Sequence, residues 1–91
     1  MSTYFVYILE SEKDGNLYTG ITAEVERRLA EHNAGRVRST KPRRPFRLLY
    51  TETFPSRSEA FARETYFKTP EGGVEKQRLV ADARLNGGGS R

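Results

Sequence analysis

Tyr4-Phe5-Val6-Tyr7-Ile8-Leu9, then Asp14-Gly15, then Leu17-Tyr18-Thr19-Gly20-Ile21-Thr22 is the stretch whose reading decides the fold. The first run is aromatic and β-branched and apolar on both faces, which predicts a buried central strand. Asp14-Gly15 is a two-residue hairpin signal, because both positions tolerate the positive φ of a tight turn. The second run alternates, with Leu17, Thr19 and Ile21 on one face and Tyr18 and Gly20 on the other. The two strands must then be antiparallel. Tyr7 falls opposite or diagonal to residues 18–21, so the Tyr7 and Tyr18 hydroxyls can converge on one face. Gly20 leaves room there for a ligand or for a closely packed helix.

Working outward, residues 24–33 read as a helix with Val25 and Leu29 as its apolar stripe, stopped by Asn33 and Gly35. A basic loop broken by Pro42 and Pro45 follows. Residues 46–54 form a third strand, with Phe46, Leu48, Tyr50 and Phe54 expected on one face. Ser56-Arg57-Ser58-Glu59 is a capping box that starts a helix running to about residue 68. Residues 69–73 (Thr-Pro-Glu-Gly-Gly) are expected to break it, and residues 74–85 to form a last helix. Residues 87–91 read as a flexible tail. The order β-β-α-β-α-α predicts an α/β fold, a small sandwich of a three-stranded sheet flanked by helices, as a single domain over residues 1–86. The pattern leaves the direction of the third strand open.

Composition narrows the function classes. A chain of 91 residues without cysteine excludes disulfides and thiolate metal sites. No run approaches a membrane span and no leader is expected before the first strand, so the cytoplasm is the default location. The net charge of +4 suits a polyanionic partner. Its distribution says more. Between residues 36 and 47 lie six bases, Arg36, Arg38, Lys41, Arg43, Arg44 and Arg47, and no acid. A solvated basic loop is the plain explanation. A phosphate-tracking patch beside a site is the functional one.

Candidate chemistry comes from five side chains. Tyr7 and Tyr18 read first as core tyrosines with hydroxyls at the edge, and their pairing is what raises them above that. Arg28 and His32 are four apart and share one helix face, at the margin between core and solvent. A guanidinium there can grip a phosphate oxygen through two hydrogen bonds, and the chain's one histidine can relay a proton or hold a phosphate. Glu26 and Glu31 are available to pair with this helix's arginines. Glu64 stands four before Lys68, the spacing of an ordinary surface pair. As a hard oxygen donor it also suits Mg²⁺ or Mn²⁺, with waters and a substrate phosphate completing the shell.

Phe5-Val6-Tyr7, ten residues, Tyr18-Thr19-Gly20, then Arg28 and His32, then Ala62-Arg63-Glu64-x-x-Phe67-Lys68 resembles the GIY-YIG nuclease superfamily, in particular its small standalone bacterial members. The superfamily includes homing endonucleases, certain restriction enzymes and the nuclease subunit of bacterial nucleotide excision repair. The resemblance covers about residues 4–68. Phe5 stands where the first motif begins with glycine, and Thr19 where an aliphatic residue is usual. The resemblance implies an antiparallel three-stranded sheet. It also implies roles: Tyr7 and Tyr18 as the motif tyrosines, Arg28 at the scissile phosphate, His32 where members carry His or Tyr, and Glu64 as the metal carboxylate. The family's later polar residue has no clear counterpart, although Asn86 is available.

The implied activity is metal-dependent hydrolysis of phosphodiester bonds, in DNA before RNA and with low sequence specificity, since no appended recognition domain is read in the chain. Tyr7 would position or deprotonate the water, with Tyr18 and His32 as alternatives. Two other classes of function stay open: a nucleic-acid-binding module that uses residues 36–47 without cutting, and a protein-interaction module whose basic patch meets an acidic partner. Metal-dependent cleavage separates the first from both. Salt-sensitive nucleic-acid binding separates the second from the third.

Overall fold

The computed structural model of the chain describes residues 3–86, so the expected tail at 87–91 lies outside the described residues. The elements are β1 (Tyr4–Ser11), β2 (Leu17–Thr22), α1 (Val25–Asn33), a single 3₁₀ turn (Lys41–Arg43), β3 (Phe46–Phe54), α2 (Arg57–Tyr66) and α3 (Pro70–Leu85). The sheet order is β2-β1-β3, with both pairings antiparallel. The apolar run at the start of the chain is the central strand, and Val6, Ile8 and Leu9 are fully buried.

The two faces are covered by different helices. On one, Leu29 of α1 packs with Tyr7, Leu9, Tyr18, Phe46 and Leu48. On the other, Ala60 of α2 meets Val6 and Ile21, while Val80 and Ala83 of α3 meet Ile8 and Leu49. The alternation expected for β2 holds, with Leu17 and Ile21 on the α2–α3 side and Tyr18 on the α1 side.

Three expectations change. The first turn is not a two-residue hairpin. Pairing stops at the hydrogen bond from Ser11 N to Asn16 O (2.9 Å), and Gly15 adopts φ +76° within the loop. Ser11 Oγ caps the loop by accepting from the backbone N–H groups of Lys13 and Asp14, a local alternative that outcompetes the tighter turn.

The second change is in β3. Ile8 faces Tyr50 but Leu9 faces Leu48, so one extra residue is inserted at Leu49. A bulge reverses the parity of the strand beyond it. Phe46 and Leu48 therefore face α1, whereas Tyr50 and Phe54 pack on the other side.

Third, residues 70–73 do not separate two helices. Thr69 Oγ1 accepts from Gly72 N (3.0 Å), Pro70 occupies the first turn, and α3 begins there with both glycines inside it. Gly72 is needed for packing, since a Cβ on it would lie 1.8 Å from the Tyr66 carbonyl oxygen. The break lies earlier, at Phe67, Lys68 and Thr69, between the end of α2 at Tyr66 and the start of α3 at Pro70.

One carboxylate ties the layers together. Glu10 of β1, 8% exposed, accepts from Arg47 of β3 (2.8 Å) and from Arg84 of α3. Burial pushes its carboxyl upward, and the two guanidinium partners more than offset this and hold it below the usual carboxylate value.

Candidate active site

Tyr7 pairs with Gly20 across β1 and β2. A Cβ on Gly20 would lie 2.6 Å from the Tyr7 hydroxyl and 2.7 Å from its ring carbon. The space left by this glycine is thus taken by the Tyr7 phenol itself, rather than by a ligand or a helix. Tyr18 lies two residues back on the same face, its ring centroid 6.2 Å from that of Tyr7 and 4.8 Å from that of His32.

Helix α1 brings Arg28 and His32 to this phenol. Arg28 Nε donates to Tyr7 Oη at 3.4 Å, and Arg28 Nη1 donates to Glu31 Oε1 at 2.9 Å. His32 Nε2 lies 3.1 Å from Tyr7 Oη, and His32 Nδ1 lies 2.8 Å from Thr40 Oγ1. His32 is fully buried, against the expectation of a place at the margin. The reason is the chain path after α1. Gly35, at φ +81°, closes a Schellman motif in which Arg36 N bonds Glu31 O and Gly35 N bonds His32 O. The segment then folds back over the helix end. Asn33 exchanges two hydrogen bonds with the Phe46 backbone, Ser11 Oγ donates to Arg43 O, and Thr40 and Phe46 seal the imidazole.

Electrostatics follow from this burial. The Tyr7 phenol is pushed up to about 12, chiefly by desolvation, with the Arg28 hydrogen bond opposing and the Tyr18 and Glu64 charges adding to the rise. His32 is held below the usual imidazole value by burial first and the Arg28 charge second, so it is neutral at pH 7. Arg28 is held firmly protonated by Tyr7 and Glu31.

Glu64 comes from α2. Its side chain is 16% exposed and its one ion-pair partner is Lys68, at 3.7 Å. It makes no hydrogen bond to Tyr7, Tyr18, Arg28 or His32 among the described residues. Among the described residues, no group of three or more His, Cys, Asp or Glu side chains is arranged to hold a metal ion. Glu64 thus offers a single carboxylate, a donor set that fits a hard cation sharing its shell with water and a phosphate.

Arg28 lines an open groove of ≈ 360 Å³ together with Thr22, Glu24, Arg27 and Glu31. Tyr7, 2% exposed, is not among the lining residues and reaches the groove through its hydrogen bond with Arg28. Of the basic set, Arg36, Arg38, Lys41 and Arg44 are exposed and Arg43 is half-buried. Arg47 leaves the set: it sits in β3, and its guanidinium is taken by Glu10 on the sheet's other face. Asn86 is also elsewhere, beside Tyr50 and Asp82. Thr40 was not readable as a site residue, because a threonine among prolines and bases carries no pattern that predicts burial. Glu31 was readable from its spacing on the helix.

Comparison with known proteins identifies the family and the fold. The GIY-YIG catalytic domain family matches residues 3–77. The UPF0213 protein SH2523 of Staphylococcus haemolyticus is 51% identical over 70 residues, covering 76% of this chain and 84% of that one. The UPF0213 protein NP_0776A of Natronomonas pharaonis is 48% identical over 80 residues, covering 87% and 92%. The solution NMR structure of the UPF0213 protein BH0048 from Bacillus halodurans superposes with a TM-score of 0.52 at 38% identity, covering 97% of this chain and 88% of that one. No described helix is long and apolar enough to cross a membrane. The chain therefore belongs to the GIY-YIG catalytic domain family, a membership that points to nuclease-type function.

Proposed function

We propose that this protein is a divalent-metal-dependent endonuclease that hydrolyses phosphodiester bonds in nucleic acid, DNA before RNA, with low sequence specificity. The observation that carries the reading is the continuous contact from Arg28 at the groove, through the Tyr7 hydroxyl, to a buried neutral His32. Two of the Arg28 donor groups are engaged by Tyr7 and Glu31, and the remaining N–H groups, without a partner among the described residues, can meet a phosphate entering the groove.

A phenol raised to about 12 is a poor base on its own. Tyr7 can still accept a proton from the attacking water if its own proton passes to His32 Nε2, 3.1 Å away. The water O–H and the Tyr7 O–H break, a new O–H forms on Tyr7 and an N–H on His32, and the hydroxide oxygen attacks phosphorus. Arg28 meets the charge that builds on the non-bridging oxygens. Glu64 would hold Mg²⁺ or Mn²⁺, which when bound supplies further positive charge to the same phosphate. Arg36, Arg38, Lys41, Arg43 and Arg44 supply sequence-independent backbone contacts.

The test pairs binding with chemistry. Glu64→Gln should abolish Mg²⁺-dependent DNA cleavage without loss of fold. Arg28→Ala should slow single-turnover cleavage by about 10²-fold with a smaller effect on affinity. Arg43→Glu with Arg44→Glu should do the reverse, weakening binding and flattening its salt slope. If the Arg28 and Arg43/Arg44 variants behave alike in both assays, Arg28 is one more backbone contact and a non-catalytic binding module is the better reading.

A further inference from the structure

The hydrogen-bonded line that runs through His32 has a donor at one end and an acceptor at the other. Arg28 Nε–H can only donate, and it donates to Tyr7 Oη. Val37 O can only accept, and it accepts from Thr40 Oγ1 at 3.3 Å beside the backbone N–H groups of Thr40 (3.1 Å) and Lys41 (3.0 Å). Between them stand two hydroxyls and one neutral imidazole, linked at 3.1 Å and 2.8 Å. One arrangement lets each of the three donate once and accept once. In it Tyr7 O–H points to Nε2, Nδ1–H points to Thr40 Oγ1, and Thr40 O–H points to Val37 O. With the proton on Nε2 instead, Tyr7 Oη accepts from two donors while its own proton finds no acceptor among these groups. Such an orphan in a buried site is costly.

We infer that Thr40 is a positioning residue for the proposed nuclease reaction: its hydroxyl fixes His32 as the Nδ1–H tautomer, so that the Nε2 lone pair faces Tyr7 and takes its proton. The inference rests on the nuclease reading for its purpose but not for its geometry. Thr40 and His32 are both fully buried, so water cannot stand in for either partner. Thr40 also belongs to the basic segment. It lies next to Lys41 and three residues before Arg43, whose carbonyl accepts from Ser11 Oγ at 2.6 Å, while Lys13 Nζ holds Pro42 O at 3.1 Å. The segment read as the backbone-contacting arm therefore also supplies the group that orients the proton acceptor. Where a hydrogen-bond partner orients a metal-bound histidine in the same way, its loss costs about 10- to 100-fold in activity, and that scale is carried over to His32.

His32 is the chain's one histidine, so its two ring nitrogens report the tautomer without assignment ambiguity. The experiment is imidazole ¹⁵N NMR on the wild-type protein, Thr40→Val and Thr40→Ser, beside single-turnover cleavage of duplex DNA with Mg²⁺. The wild type should show a protonated Nδ1 and an unprotonated Nε2. Thr40→Val should move the proton toward Nε2 and slow cleavage by about 10- to 100-fold with little change in DNA affinity. Thr40→Ser should restore both. A wild-type ring carrying its proton on Nε2 overturns the inference, even if the valine variant fails to fold. So does a Thr40→Val ring that keeps Nδ1–H while cleavage falls, because Thr40 would then act through packing alone. Absence of cleavage by the wild type would count against the nuclease reading, and the tautomer result would still decide the role of Thr40.

Discussion

Gly20 and Thr19 are neighbours with opposite consequences. Gly20 has no side chain because the Tyr7 phenol occupies that space. We predict that Gly20→Ala pushes the phenol away from Arg28 and His32, slows cleavage by about 10²-fold and costs about 1–3 kcal/mol of stability. Cleavage at the wild-type rate would mean that the phenol's place does not matter. Thr19 Oγ1 is the one buried side-chain polar atom without a partner among the described residues. Thr19→Val keeps the shape and removes the orphan, so the variant should be more stable by about 1 kcal/mol in urea titration. A lower midpoint would show that the hydroxyl is satisfied after all. The tyrosines, the arginine and Gly20 were legible in the sequence because strand parity and helix spacing fix which side chains share a face. The burial of His32 was not, because it depends on the path of residues 35–46 over the helix end.

At the scale of elements, the limits of α1 and the start of α2 were legible, whereas the start of α3 was not. The helix start at Ser56 was readable and is observed as an N-cap, with Ser56 Oγ accepting from Glu59 N at 3.2 Å, although the Glu59 carboxylate accepts from the Ser56 hydroxyl rather than from its backbone N–H. The start of α3 was misread because glycines are poor helix formers, yet α3 keeps Gly72 to let its first turn approach the end of α2. We predict that Gly72→Ala, which improves helix propensity in isolation, destabilises the protein by at least about 1–3 kcal/mol, because the new methyl meets backbone rather than a yielding side chain. A rise in melting temperature would show that the two helices can move apart. The bulge at Leu49 escaped the sequence because the residues around it are apolar on both faces, and no alternation marks the change of parity.

For the whole molecule, acid stability is set by groups that fold into unfavourable or favourable protonation states. His32 binds its proton less readily folded than unfolded. Below the ordinary imidazole value near about 6.5 the unfolded chain therefore holds the extra proton, and stability falls as the pH drops through that value. Glu10 works at lower pH. Its depressed carboxyl contributes stability above the ordinary carboxylate value, and this is lost on further acidification. Melting curves between pH 7.5 and 5 should slope downward for the wild type and less so for His32→Phe. Equal slopes would exclude His32 as the cause.

The first strand of the chain is also the middle of its sheet, and Glu10 on that strand is bound by Arg84, 74 residues later. The side chains of Tyr7, Tyr18, Arg28 and His32 are all translated before β3 is complete, whereas the cover for Val6 and Ile8 arrives with α2 and α3. During synthesis the part that carries Tyr7, Tyr18, Arg28 and His32 thus emerges before Glu64, with one side of the central strand bare until α3 docks and its arginine closes on Glu10.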